Sequence, residues 1–123
     1  MRVGVDLVDV EAFRARFDGR EDLLAATFGP AEMAYCRSQR DPWPHLAARL
    51  AAREAAWKAL GTGLVGAMGW RDVEVTRDPA GAPGLRFQGA TGAALERSGL
   101  RLASISLSHT ETHAIAVVIL ADS

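Results

Sequence analysis

The sequence predicts an α+β fold in which an antiparallel sheet packs against a long central helix. Helical spacing dominates the first half of the chain, and alternating strand patterns dominate the second. Between them lies an alanine-rich run of strong helix formers that meets no glycine until Gly61. With 123 residues, 49% of them hydrophobic, the chain can bury one core and reads as a single domain over residues 1–123.

Residues 1–8 read as a strand, because Val3, Val5 and Leu7 share one parity and Arg2, Gly4 and Asp6 the other. Asp6 then points away from the valine face, either into water or into a metal or base role. Val10, Phe13 and Phe17 recur at helical spacing until Asp18-Gly19. A second helix is expected over 21–28 and a third over 30–37, with Pro30 at its first position. Residues 40–44 form a loop, and Pro44 opens the central helix, which Gly61 closes in the left-handed conformation. Leu46, Leu50, Trp57 and Leu60 supply its buried stripe. Glu54 and Lys58, one turn apart on another face, form a solvated ion pair or part of a site. The glycines from 61 to 69 make a flexible connection to a hairpin, with strands around Val73 and Val75 and over 85–88. A short helix at 91–98 ends at Gly99. Strands at 102–108 and 113–120 flank a turn at Thr110-Glu111-Thr112. Residues 114–120 are apolar on both parities, as in a central strand covered on both faces.

Composition narrows the function. A formal net charge of −1 supplies no global basic field, which argues against nucleic acid as a partner. The single cysteine, Cys36, excludes an internal disulfide and is expected to be a small buried apolar side chain. The opening residues lack a signal-peptide apolar region and no run approaches transmembrane length, so a cytoplasmic location without a membrane partner is expected.

Three segments carry polar residues that packing does not require: Asp6, the run Arg53/Glu54/Lys58, and Ser106-Leu107-Ser108-His109. Two carboxylates from separate elements suit Mg²⁺, which keeps several waters and binds through one or two carboxylates plus substrate phosphates. A lysine one turn from a ligand carboxylate, with an arginine and a histidine nearby, would hold phosphate charge. His45 and His113 are read as hydrogen-bonded residues without a chemical role.

Gly4-Val5-Asp6-Leu7-Val8, the run from Arg49 through Glu54 and Lys58 to Gly61-Thr62-Gly63, and Ser106-Leu107-Ser108-His109 before 114–118 appear in one order over the whole chain. This pattern resembles the holo-acyl-carrier-protein synthases, the short 4′-phosphopantetheinyl transferases. The resemblance implies their fold and the transfer of 4′-phosphopantetheine from coenzyme A to a carrier-protein serine, releasing adenosine 3′,5′-bisphosphate. It implies that Asp6 and Glu54 bind Mg²⁺ and that Lys58 and His109 lie at the phosphates. It also brings Arg53, Gly61 and Thr62 into the coenzyme-binding set, although Arg53 stands where the family usually has lysine. Asp6, Glu54 and Lys58 are the expected catalytic residues, with Glu54 or a metal-bound water beside Asp6 as the base. The resemblance further implies a homotrimer with a shared active site and an acidic carrier helix docked on the region of Arg14, Arg16 and Arg20. The carrier could serve fatty acid, polyketide or peptide synthesis. The alternative reading is a non-catalytic domain, either binding a nucleotide diphosphate for regulation or acting as a carrier-protein adaptor.

Overall fold

Gly4 decides how the opening strand meets the rest of the chain. The computed structural model, which describes residues 1–123, places strand β1 (Arg2–Asp9) directly on the long helix α4 (Pro42–Leu60). A Cβ on Gly4 would overlap the Ala55 carbonyl, so only glycine permits this approach. On the helix side, Ala51, Ala55 and Ala59 are fully buried small residues that leave room for a strand. Side chains alternate along a strand, so Asp6 shares the Gly4 face and is carried to the helix with it.

β1 leads into α1 (Val10–Phe17), capped by the Asp9 carboxylate, which accepts from the Ala12 amide at 2.9 Å. Two short helices follow, α2 (Glu21–Thr27) and α3 (Pro30–Arg37), with Pro30 at the first position as expected. α4 starts at Pro42, two residues before the expected Pro44. Asp41 caps it by accepting from the Trp43 amide at 3.1 Å, and both prolines fall in the first turn, where no helical partner is lost. Gly61 closes it at φ +82°, as expected. A 3-10 turn at Trp70–Asp72 then precedes β2 (Val73–Arg77), β3 (Pro83–Phe87), α5 (Gly89–Ser98), β4 (Leu100–His109) and β5 (His113–Asp122). The main sheet is antiparallel in the order β1-β5-β4, and β2 and β3 form the expected hairpin as a separate ribbon.

Fourteen of the nineteen residues of α4 are buried, so the expected stripe of Leu46, Leu50, Trp57 and Leu60 is only part of its packed surface. Its first half meets Phe13, Phe17 and Phe28, and its second half meets Val73, Val75, Val118 and Leu120. Cys36 is buried as expected, and burial pushes its thiol up to about 11.

Two expectations about the sheet are overturned. In β1 the Gly4/Asp6 face is the inner one, because Gly4 admits the helix, while Val3, Val5 and Leu7 stand 64%, 49% and 63% exposed. In β5 only one face is covered: Ala114, Ala116, Val118 and Leu120 are buried, whereas Ile115 is 38% exposed. Pairing places Val3, Val5 and Leu7 beside Ile119, Val117 and Ile115, with Ser104, Ser106 and Ser108 beyond them. The uncovered face is thus an apolar patch edged by serines.

Candidate active site

Asp6 and Glu54 come from elements far apart in sequence and meet because β1 lies on α4. They open into a cleft of about 450 Å³, with Lys58 beside them and Trp57, Leu64 and Trp70 on its apolar side. Lys58 Nζ donates to Asp6 Oδ1 at 2.9 Å and to the Val5 carbonyl at 3.1 Å. The lysine therefore pairs with the strand acid, not with Glu54 one turn away, since Asp6 is held within its reach and Glu54 points towards Asp6 as well.

The second Asp6 oxygen, Oδ2, is buried, and no donor of the ionised protein reaches it. Burial, then a hydrogen bond with Asp6 and the Asp6 charge, push the Glu54 carboxyl up from 4.5 to about 7, against the opposing pull of Lys58 and Arg16. Two carboxylates facing each other with a spare oxygen and one lysine are short of positive charge. A proton on Glu54 supplies it, and so would a divalent cation. No cluster of three or more His, Cys, Asp or Glu side chains accompanies the pair. An ion there would take two protein oxygens and complete its shell from water and substrate, which is the habit of Mg²⁺. The residues present fit that ion.

Arg53 departs from the expectation that it binds phosphate. Its side chain is completely buried, with Nη1 donating to Glu32 Oε2 at 2.8 Å, Nη2 to Glu32 Oε1, and Nε to the Trp70 carbonyl at 2.8 Å. Its guanidinium also lies 4.9 Å from the centre of the Phe28 ring. Every side of the fork is occupied, so Arg53 ties α3, α4 and the Trp70 turn together and has no face for a ligand. Gly61 and Thr62 do not line the cleft, which Gly63 and Leu64 reach instead: Gly61 caps α4 under the Arg2 guanidinium, and the Thr62 hydroxyl donates to the Gly63 carbonyl.

His109 is not in this cleft. At the end of β4 it packs against His45 near the start of α4, ring centres 4.6 Å apart, in a second cleft of about 530 Å³ that also takes in Arg40 and Thr110. Arg49 and Arg77 lie over the neighbouring Tyr35 ring, 4.7 and 4.2 Å from its centre. Burial and then the charges of His109 and Arg49 push His45 below its ordinary value. Glu54 stands nine positions after His45 on α4, about 13 Å along the axis. One chain therefore carries the acidic cleft and, at a different place, a second cleft whose lining mixes Arg40, His45 and His109 with Asp41 and Glu111. His113 stays outside both, within hydrogen-bond reach of Thr112.

Of the three arginines on and just after α1, only Arg16 reaches towards the acidic cleft, while Arg14 lies over the Trp43 ring near the start of α4. Arg14 and Arg20 are exposed and lean on Asp18 and Asp22, each at 3.6 Å, and Arg16 lines a groove that runs to Glu54. Trp57, Leu64 and Trp70 line the cleft beyond the expected residues: Trp57, one residue before Lys58 on the same helix, was expected only in the buried stripe, and Leu64 and Trp70 are brought in by folding alone.

The chain matches the family model described as the 4′-phosphopantetheinyl transferase superfamily over residues 2–118. It is 43% identical over 122 residues to a holo-[acyl-carrier-protein] synthase of Koribacter versatilis, covering 97% of this chain and 96% of that one. The structure is similar to the crystal structure of holo-[acyl-carrier-protein] synthase from Neisseria meningitidis, with TM-score 0.86, 28% identity and 98% of each chain covered. It is similar in the same degree, TM-score 0.86 at 27% identity over 99% of this chain and 97% of the other, to the synthase of Chronobacterium ammoniagenes in its complex with coenzyme A. The chain belongs to the 4′-phosphopantetheinyl transferase superfamily and, within it, to the holo-[acyl-carrier-protein] synthases.

Proposed function

We propose that Asp6, Glu54 and Lys58 are the residues through which this chain performs the reaction of its family. That reaction moves the 4′-phosphopantetheine arm of coenzyme A onto a serine of acyl carrier protein and leaves adenosine 3′,5′-bisphosphate. The observation that carries the assignment is the Asp6–Glu54 pair, two acids of separate elements turned towards each other with an unfilled buried oxygen. Asp6 and Glu54 would hold Mg²⁺, and the ion when bound neutralises the diphosphate of coenzyme A. The carrier serine oxygen attacks the phosphorus that bears pantetheine, and the bond to the adenosine bisphosphate breaks. Lys58, one turn from Glu54 at the mouth of the cleft, balances charge gathering on the departing phosphate. Glu54 would accept the serine proton as general base.

The cleft is incomplete in one chain, because His109 and Arg40, groups suited to phosphate, lie in the other cleft. A homotrimer answers this, with the His109 cleft of one copy set against the acidic cleft of the next. The uncovered apolar face of β1 and β5 is the surface such an assembly would bury. The region of Arg14, Arg16 and Arg20 would receive the acidic helix of the carrier, with Arg16 on the groove that leads to Glu54. No helix is long and apolar enough to cross a membrane, and a cytoplasmic location goes with this reading.

The test is to mix the protein with coenzyme A, Mg²⁺ and apo acyl carrier protein, and to weigh the carrier. Addition of phosphopantetheine to one carrier serine, lost in Glu54→Gln and Lys58→Ala, supports the assignment. An unmodified carrier that still binds would favour a non-catalytic adaptor.

A further inference from the structure

The loop from Gly61 to Gly69 borders the acidic cleft, and its two ends are held in different ways. Its first end is an ordinary helix cap, with the Gly61 and Thr62 amides donating to the Trp57 carbonyl. Its middle is nearly free of anchors and exposes Leu64 and Val65. Its far end is held by a carboxylate: Asp72 Oδ2 accepts from the Gly69 amide at 3.1 Å, from the Thr91 amide at 3.1 Å and from the Thr91 hydroxyl at 2.9 Å. The Thr91 hydroxyl in turn accepts from Trp57 Nε1 at 3.1 Å. Thr91 and Trp57 are buried, and Trp57 stands edge-on to Trp70 with ring centres 5.2 Å apart. The space beside Asp72 is shaped for it, since a Cβ on Gly89 would come within 2.5 Å of Oδ1.

We infer that Asp72, acting through Thr91 and Trp57, is a positioning residue that holds the 61–69 loop against the cleft and thereby sets the affinity for coenzyme A. The relay runs from the far end of the loop to the helix turn that lies between Glu54 and Lys58. Breaking it leaves those side chains in place but lets Leu64 and Trp70 drift from the cleft wall. The effect belongs to binding of the coenzyme and not to the chemical step. This inference rests on the cleft being the coenzyme site.

Steady-state kinetics with coenzyme A and carrier varied separately test it, in the parent and in Asp72→Asn, Thr91→Val and Thr91→Ser. Loss of one buried hydrogen bond corresponds to about tenfold. Asp72→Asn and Thr91→Val should raise KM for coenzyme A by about that factor, with kcat within about twofold and the carrier KM unmoved, while Thr91→Ser keeps the parent values. In a Trp43→Phe background the two remaining tryptophans both line the cleft. Their change in emission on adding coenzyme A should shrink in Thr91→Val and be restored in Thr91→Ser. If Asp72→Asn does not fold, Thr91→Val decides. An unchanged coenzyme KM in the folded variants, or kcat and both KM values worsening together, overturns the inference. Lys58→Ala separates the two readings: if it binds coenzyme A as tightly as the parent, the site assignment has failed, and if only Lys58→Ala is weakened, the anchoring role alone has failed.

Discussion

Asp6, Glu54 and Lys58 hold one charge balance among them, and changing any member shifts the others. Glu54→Gln removes one of the two facing acids from a partly exposed helix position, so the fold should survive while transfer falls by about a hundredfold or more. Carrier mass spectrometry alongside thermal melting measures both. The titration of Glu54 gives a second expectation. Its carboxyl holds a proton more tightly in the folded chain, about 7, than in the unfolded chain, 4.5, so between those values the folded state binds more protons. Stability of the metal-free protein should therefore fall as pH rises from about 4.5 to 7, and Mg²⁺ should stabilise it increasingly over the same range as the ion replaces the proton. In Glu54→Gln both slopes should flatten, as melting curves with and without Mg²⁺ would show. At this scale the types and order of the acids and the lysine stand in the chain, and the fold brings the three into one cleft. The motifs could not assign partners: Lys58 looks towards Glu54 in sequence and bonds Asp6 in space, and Arg53 looks like a phosphate ligand until Glu32 occupies it.

Elements bring these side chains together through two close fits. The first is β1 on α4. Gly4→Ala would push the strand off the Ala55 carbonyl, at a cost of about 1–3 kcal/mol, the range for overfilling a packed interface. Asp6, two residues along, would move with it, so transfer should fall further than the melting temperature suggests. The second is the buried Glu32–Arg53 pair that fixes α3 and the Trp70 turn to α4. Glu32→Ala strands a buried guanidinium and should cost about 3–5 kcal/mol, read as a drop in the denaturation midpoint. Element types and ends were legible wherever local chemistry decides them, as with the Gly61 cap, the turn at 110–112 and the 73–87 hairpin. The inner face of β1 was not. Alternation separates Val3, Val5 and Leu7 from Gly4 and Asp6, yet which set faces the helix depends on a glycine meeting a helix of alanines.

The whole molecule shows two unfinished surfaces, an apolar sheet face and an acidic cleft to which its own chain supplies Lys58 but not His109. Both are completed if copies associate through the sheet. If the chain forms the proposed trimer through this face, Val5→Asp at its middle should shift the protein from trimer to monomer in sedimentation velocity and should lower transfer with it. A trimer that persists in that variant would place the contact elsewhere. The valine-rich strands raised the expectation of a face buried within the chain, because a sequence pattern marks apolar surface without saying whether the chain or its copy covers it. All of this depends on an ion shared by Asp6 and Glu54. A crystal grown with coenzyme A and Mn²⁺ in place of Mg²⁺ tests that most directly through the anomalous signal of the metal. The account predicts a single peak between the two carboxylates, about 2.1 Å from an oxygen of each and beside the diphosphate. A peak bound to neither carboxylate, with the diphosphate elsewhere, would contradict it.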